Sequence, residues 1–307
     1  MSEITKINDY ISILSFAFGE GMKSHLYLIH DQNEAALIDA HIASMAEQVI
    51  EKIQQVTPLS QLKTVILTHG HMDHMGASSL IKEKTGASIA IHIADAQYIE
   101  EPWTQFLTLY EAFGVTKQNY EEFQSMSGGK PVKVTRPLHH GDTLKVGSIE
   151  LQIHHTPGHS PGSICILEPK SRTLFTGDAL IPSEWYPTTL GVFQDATKYI
   201  QSLTRLSEMK IDTLCPGHGK VRQGLEIEKE FIAHFDRYSK IEETILKVLK
   251  DSEGMSLWEI FSAVADQILE PGEHVPGIGA LVTLKGFLNK MSFEDRIVQE
   301  KGSLWRA

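Results

Sequence analysis

The sequence predicts an α/β arrangement in which helices cover sheets, followed by a helical C-terminal domain. Two observations carry this. Short β-branched runs alternate with amphipathic segments through the first 92 residues, and past Gly224 the apolar spacing becomes helical. Between these stretches lies a third feature, a series of short strands separated by turns rich in Gly, Pro and Ser.

In chain order, His25–Ile29 reads as a strand that pairs with Ala35–Asp39 across the polar turn 31–34. Ser44–Val56 has helical spacing, with Ser44 as N-cap and Pro58 beyond its end. Thr64–Leu67 is fit for a buried strand, Gly76–Lys84 for a helix ended by Gly86, and Ser88–His92 for the next strand. Residues 94–130 change character. They are helical, acidic and aromatic, with Tyr98, Trp103, Phe106, Tyr110, Phe113, Tyr120 and Phe123. The segment reads either as an inserted lid or as a surface helical pair whose aromatics cover the sheet. Strands are expected again at 132–134, 144–146, 149–153, 163–167 and 173–175, then a helix at 195–208 and a strand at 211–215. Helices at 225–250, 256–268 and 277–291 and a hairpin of 296–299 with 303–305 follow the order of a winged-helix module. The expected domains are therefore 1–225, containing the insertion, and 226–307.

The chain has 307 residues, 41% hydrophobic and 22% charged, which is ordinary for a globular protein and argues against disorder. No apolar run approaches the roughly 20 residues of a membrane span, and the N-terminal residues lack a secretory pattern. Two cysteines make no disulfide framework, so a cytoplasmic location is expected. A net charge of -11 argues against a chain whose main task is gripping a phosphate backbone. Fifteen histidines against two cysteines mean that any bound metal is held by imidazole and carboxylate.

The chemistry concentrates in Thr68-His69-Gly70-His71-Met72-Asp73-His74, on an expected loop between strand and helix. His69 and His71, two apart, face the same way in an extended stretch. Adjacent Asp73 and His74 serve a second centre better than the same one. Further candidates sit in glycine-bearing loops after strands: His159 in 156–162, Asp178 after Thr176-Gly177, and His218 in 216–219. One such histidine is usually a core or surface residue; five histidines at strand–loop junctions form a metal pattern. Imidazole with carboxylate suits two divalent ions, zinc first, with manganese or iron as alternatives. His25, His30, His92, His154, His155, His234 and His274 read as packing, surface or supporting groups, and His139-His140 as a surface turn.

This joint pattern resembles the metallo-β-lactamase superfamily over roughly residues 10–225. The resemblance implies an αββα metallo-β-lactamase sandwich with a dinuclear site at one edge. It implies His69, His71 and His159 on one ion, Asp73, His74 and His218 on the other, and Asp178 bridging. Asp39, at the end of an early strand, would support the site from behind, although Ala40-His41 departs from the small residue and glycine usual after it. The C-terminal segment more weakly resembles the winged-helix appendage of the β-lactamase-like 2 branch. His71 argues against the flavodiiron branch, which has Glu there. Asp178 argues against the lactamases with a metal-binding Cys. The 18 residues between His159 and Asp178 leave no room for a second nuclease domain.

The expected activity is hydrolysis of an ester, thioester or lactone by a metal-bridging hydroxide, with Asp73 orienting it and carrying a proton. The alternatives are an endoribonuclease or phosphodiesterase on the same metals, and a regulatory nucleic-acid-binding protein acting through the winged helix. Residues 226–307 hold 10 basic and 15 acidic residues, and the helix 277–291 offers only Lys285 and Lys290, so both alternatives rank lower. The expected partner is a small-molecule substrate, with no membrane; the appendage packs on the hydrolase domain, roofs the site or makes a homodimer.

Overall fold

The computed structural model describes residues 3–17, 23–110, 116, 118–121, 124, 129–250, 252–271, 278–300 and 304–307. The chain forms two compact units. The first comprises 1–156, 161–180 and 210–223; the second comprises 157–160, 181–209 and 224–307.

The first unit holds two sheets. One has seven strands in sequence order: β1 (Glu3–Asn8), β2 (Ile11–Ala17), β3 (Lys23–His30), β4 (Ala35–Ile38), β5 (Leu62–Ile66), β6 (Ser88–His92) and β7 (Arg136–Leu138). The first four pair antiparallel and the last four parallel. The other sheet has six: β8 (Thr143–Val146), β9 (Ile149–His155), β10 (Ile164–Glu168), β11 (Thr173–Gly177), β12 (Thr213–Pro216) and β13 (Arg222–Gln223). Here only β11 and β12 run parallel.

Alternation along the strands builds two cores on opposite faces of the larger sheet. Ile11, Ile13, Tyr27, Ile29, Ile38 and Ile66 meet Leu151, Ile153, Ile164, Ile166 and Phe175 between the sheets. The intervening residues Leu14, Phe16, Leu26, Leu28, Leu37 and Val65 pack on the opposite face against Val49, Ile50 and Ile53 of α1 (Ala46–Val56). That core also receives Met75 of α2 (Met72–Met75) and Ile81 of α3 (Ser78–Thr85), which ends at Gly86 with φ 71°.

Several expected boundaries are corrected. β1, β2 and β13 come in addition to the expected strands. Residues 132–134 form no strand: Val132 N bonds to Ile99 O and Val134 N to Glu100 Oε1, so their donors go elsewhere than a ladder. The strand lies further on, at β7, where Pro137 is tolerated because β7 is a sheet edge. Ser44 does not cap α1; it lies in a 3-10 turn, Ala43–Met45. The metal motif itself becomes helical at Met72, so Asp73 and His74 leave a helical turn rather than a loop.

The insertion contains α4 (Ala96–Glu100) and α5 (Pro102–Tyr110). Trp103 stacks on Phe106 at 5.9 Å between ring centroids, and Tyr120 meets both edge-on at 5.0 and 5.4 Å. Phe113 and Phe123 lie outside the described residues.

The second unit is helical: α6 (Ala196–Ser207), α7 (Leu225–Lys250), α8 (Leu257–Ile268) and α9 (Ile278–Phe293), then the short hairpin β14 (Val298–Gln299) with β15 (Trp305–Arg306). Of the expected hairpin turn, 300–302, residues 301 and 302 lie outside the described residues. Asp195 caps α6 through Lys198 N, and Ser256 with Glu259 forms a capping box on α8. On α7, Phe231, His234, Tyr238, Ile241 and Ile245 recur every three or four residues and are buried. Trp185 and Tyr186 are half-buried, whereas Phe193 is fully buried and is core. Among the described residues, no helix is long and apolar enough to cross a membrane.

Candidate metal centre

The first unit gathers its polar ligands where strands end. β5 leads to Thr68 through His74, β11 to Asp178, and β12 to His218. Ligand atoms of Asp73, His74, Asp178 and His218 all lie within 4.8 Å of one another. His74 Nε2 is 3.4 Å from Asp178 Oδ1 and 3.6 Å from Asp73 Oδ2. His218 Nε2 is 3.3 Å from Asp73 Oδ2 and 3.7 Å from Asp178 Oδ1. Such spacings are long for hydrogen bonds. They match the roughly 3.4 Å edge of a tetrahedron whose ligands sit about 2.1 Å from a zinc-sized ion. The donor set therefore fits a divalent metal.

Charge supports the same fit. Burial disfavours ionised Asp73, but the His74 and His218 imidazoles beside it hold its carboxyl below the usual range. Burial opposes protonation of His74, yet Asp178, Asp73 and Asp39 outweigh it and raise the imidazole well above its ordinary value. His218 is raised in the same way, burial being outweighed by Asp178 and Asp73. Protons here compensate buried carboxylates, and a dication would replace them, so metal uptake releases protons.

Behind the ligands stands Asp39, at φ 61°. It accepts from Thr68 N at 2.8 Å and from Thr68 Oγ1 at 2.9–3.0 Å. Its Oδ2 also accepts from His74 Nδ1 at 2.8 Å, so that once the ring gives up its second proton the lone pair lies on Nε2. Thr68 Oγ1 in turn accepts from His69 Nδ1 at 3.1 Å, so one carboxylate sets two tautomers. The expected supporting role of Asp39 is thus visible as geometry. Two glycines make room. A Cβ on Gly217 would lie 2.8 Å from both Asp178 Oδ1 and His74 Cε1, and one on Gly177 would overlap Thr68 Oγ1.

His69 and His71 lie side by side, ring centroids 4.6 Å apart, as alternation across an extended segment requires. His159 belongs to the second unit. It is buried there, and its Nδ1 donates to Val192 O at 2.7 Å, which puts the lone pair of the neutral ring on Nε2. His25 holds the His218 loop: its Nε2 donates to Gly219 O at 2.6 Å and Ser15 Oγ meets its Nδ1. His92 stacks on His155 at 3.9 Å, and His234 lies buried among Tyr186, Tyr199 and Glu230. These four are packing and supporting groups.

The family model described as "Metallo-beta-lactamase superfamily" matches residues 20–218. The chain belongs to the metallo-beta-lactamase superfamily. Among the chain's relatives, the "Hydroxyacylglutathione hydrolase GloC" of Haemophilus influenzae is 31% identical over 150 residues. That match takes in 49% of this chain and 63% of that one, less than two thirds of its length. The "Beta-lactamase-like protein 2 homolog" of Caenorhabditis elegans is 25% identical over 279 residues, 90% of this chain and 80% of that one. A metallo-beta-lactamase family protein from Thermus thermophilus superposes with a TM-score of 0.78 at 20% identity, covering 98% of this chain and 99% of that one. That likeness shows the metallo-beta-lactamase fold.

Proposed function

We propose that the chain is a dinuclear metal-dependent hydrolase of a small ester, thioester or lactone. The observation that carries this is the convergence of Asp73, His74, Asp178 and His218 at tetrahedral ligand spacing. In this reading Asp73, His74 and His218 would hold one ion, His69, His71 and His159 the other, and Asp178 would be shared by both. Chain connectivity supports including His159. Its loop leaves the first unit at Thr156 and re-enters at Pro161; Thr156 N bonds to Ser163 O, and Ile164 N bonds to Thr68 O, next to His69. Zinc is the metal we favour, because the set is imidazole and carboxylate without thiolate.

Bound divalent ions supply Lewis acidity toward a carbonyl oxygen and acidify water near neutrality. The chain's own part is positional and protonic. Asp73, kept ionised by its neighbours, accepts a proton from the attacking water. Asp39 fixes the tautomers of His69 and His74. A thioester is favoured by the relative named as a hydroxyacylglutathione hydrolase. The acidic appendage, 226–307, supports a role in packing, roofing or dimerisation over nucleic-acid binding, and we read it as winged-helix-like from its helix–helix–helix–hairpin order.

The test is a panel of thioester, lactone, phosphodiester and RNA substrates with zinc or manganese, alongside elemental analysis. We expect close to two metal equivalents and turnover of a thioester or lactone. Asp178→Ala should abolish turnover and lose metal, whereas His154→Ala should keep both. Protein that stays metal-free in replete medium would overturn the reading; turnover of RNA alone would move the substrate class.

A further inference from the structure

A second buried carboxylate stands where Asp39 does not reach. Asp95, fully buried just past the end of β6, accepts from Gly70 N through Oδ2 at 3.0 Å and from Gly162 N through Oδ1 at 2.6 Å. Gly70 is the residue between His69 and His71. Gly162 is three residues past His159 and closes the loop that carries it. Gly70 is held from its other side as well, because Gln105 Nε2 donates to its carbonyl at 2.9 Å. Both glycines are glycines for this reason: a Cβ on Gly70 would lie 2.9 Å from Tyr98 Cβ, and one on Gly162 would lie 2.6–2.7 Å from Asp95 N, Cβ and Cγ.

We infer that Asp95 is a positioning residue for one ion only, the one assigned above to His69, His71 and His159. This rests on that dinuclear reading and extends it. One carboxylate spans two backbone donors on two separate ligand loops, so it fixes the distance between the loops rather than any single side chain. Asp39 works differently: it meets His74 directly and His69 through the Thr68 hydroxyl, so it touches a ligand of each ion. Asp95 is therefore the support whose removal reads out on one ion alone. Groups that hold ligands from behind typically contribute about 10–100-fold in metal affinity.

The experiment is zinc titration of the full chain against a chromophoric chelator, read as stoichiometry and stepwise affinity, with no dependence on activity. Wild type should take up two equivalents. Asp95→Asn presents an NH2 group to one of the two backbone N–H donors. It should keep one equivalent at wild-type affinity and bind the other at least tenfold more weakly. Gly162→Ala, which pushes on Asp95 while leaving the carboxylate in place, should give the same one-ion signature, and it keeps the question open to test if Asp95→Asn fails to fold. Asp39→Asn, which loosens both His74 and His69, should weaken both ions, a signature distinct from that of the two Asp95-directed variants. Two equivalents at wild-type affinity in both Asp95→Asn and Gly162→Ala would overturn the inference. So would parallel loss of both ions, the mark of a general folding defect. A wild type that takes up no zinc would overturn the dinuclear reading itself and this inference with it.

Discussion

Asp39 and His41 adopt positive φ, 61° and 67°, although neither is glycine. Asp and His tolerate this region better than most residues, and the turn aims the Asp39 carboxylate at Thr68 and His74. His41 shares the turn; burial first, then His74 and His218, push its imidazole down to about 4. His92 is held down to about 4 as well, by burial first and then by His155, His139 and His140, with Asp142 opposing. Its ordinary value is 6.5, so between pH 6.5 and 4 the unfolded chain takes up a proton that the folded chain refuses. This group therefore removes stability as pH falls through that window and removes none above it. Allowing for the partly solvated ring, the loss is about 1–2 kcal/mol. His92→Phe keeps the stack on His155 and should flatten the dependence: the drop in urea midpoint from pH 7.5 to pH 4.5 should be smaller than in wild type. Parallel drops would show that His92 does not titrate in this way. At this scale, the metal-ligand candidates were legible because each follows a strand beside glycine. Asp95 was not. A single acidic residue in Ile93-Ala94-Asp95 carries no spacing signal, and its partners are backbone groups 25 and 67 residues away.

Among elements, the helices of the second unit were the most readable, because long apolar stripes and caps repeat a local signal. Ser256 and Glu259 form a capping box at the start of α8, with Ser256 N bonded to Glu259 Oε2 at 2.7 Å. Ser256→Ala should cost about 1 kcal/mol, seen as a lower urea midpoint with an unchanged slope. No change would mean that this helix start is held by tertiary contacts alone. Strands were read less well. β1 has no buried residue and no clean alternation to detect, and β2 interrupts its apolar residues with Ser12 and Ser15, both buried. Val132 and Val134 look like strand residues, but Ile99 O and Glu100 Oε1 take their N–H groups. Pro137 hid the strand that does form, since edge position alone makes proline acceptable there. The helical turn inside the metal motif was also missed, because four residues of helix are too short for periodicity to show.

For the whole molecule, the -11 charge acquires a local meaning. Part of the acidity is a compact group of carboxylates and imidazoles in the first unit, compensated by protons on His74 and His218. A ligand that binds only the folded state stabilises it by mass action, about 2.7 kcal/mol at a free concentration one hundred times its dissociation constant. Melting temperature should therefore rise with buffered free zinc and fall after chelation, and the zinc-dependent part should disappear in Asp178→Ala. A melting temperature indifferent to zinc would separate this cluster from metal binding. The fold class was legible at this scale because one motif belongs to one superfamily. The grouping of 157–160 and 181–209 with the C-terminal residues was not, because compactness depends on contacts far apart in the chain.

The missing Cβ of Gly177 has a consequence for how such a chain can change over generations. Any side chain there displaces the Thr68 hydroxyl, and with it the link from His69 to Asp39. Positions 39, 68 and 177 thus form one heritable unit, in which a lone replacement at 177 is trapped until both other positions change. A single-step path through position 177 is therefore closed by the Thr68 hydroxyl, whatever the residues in the loops around it.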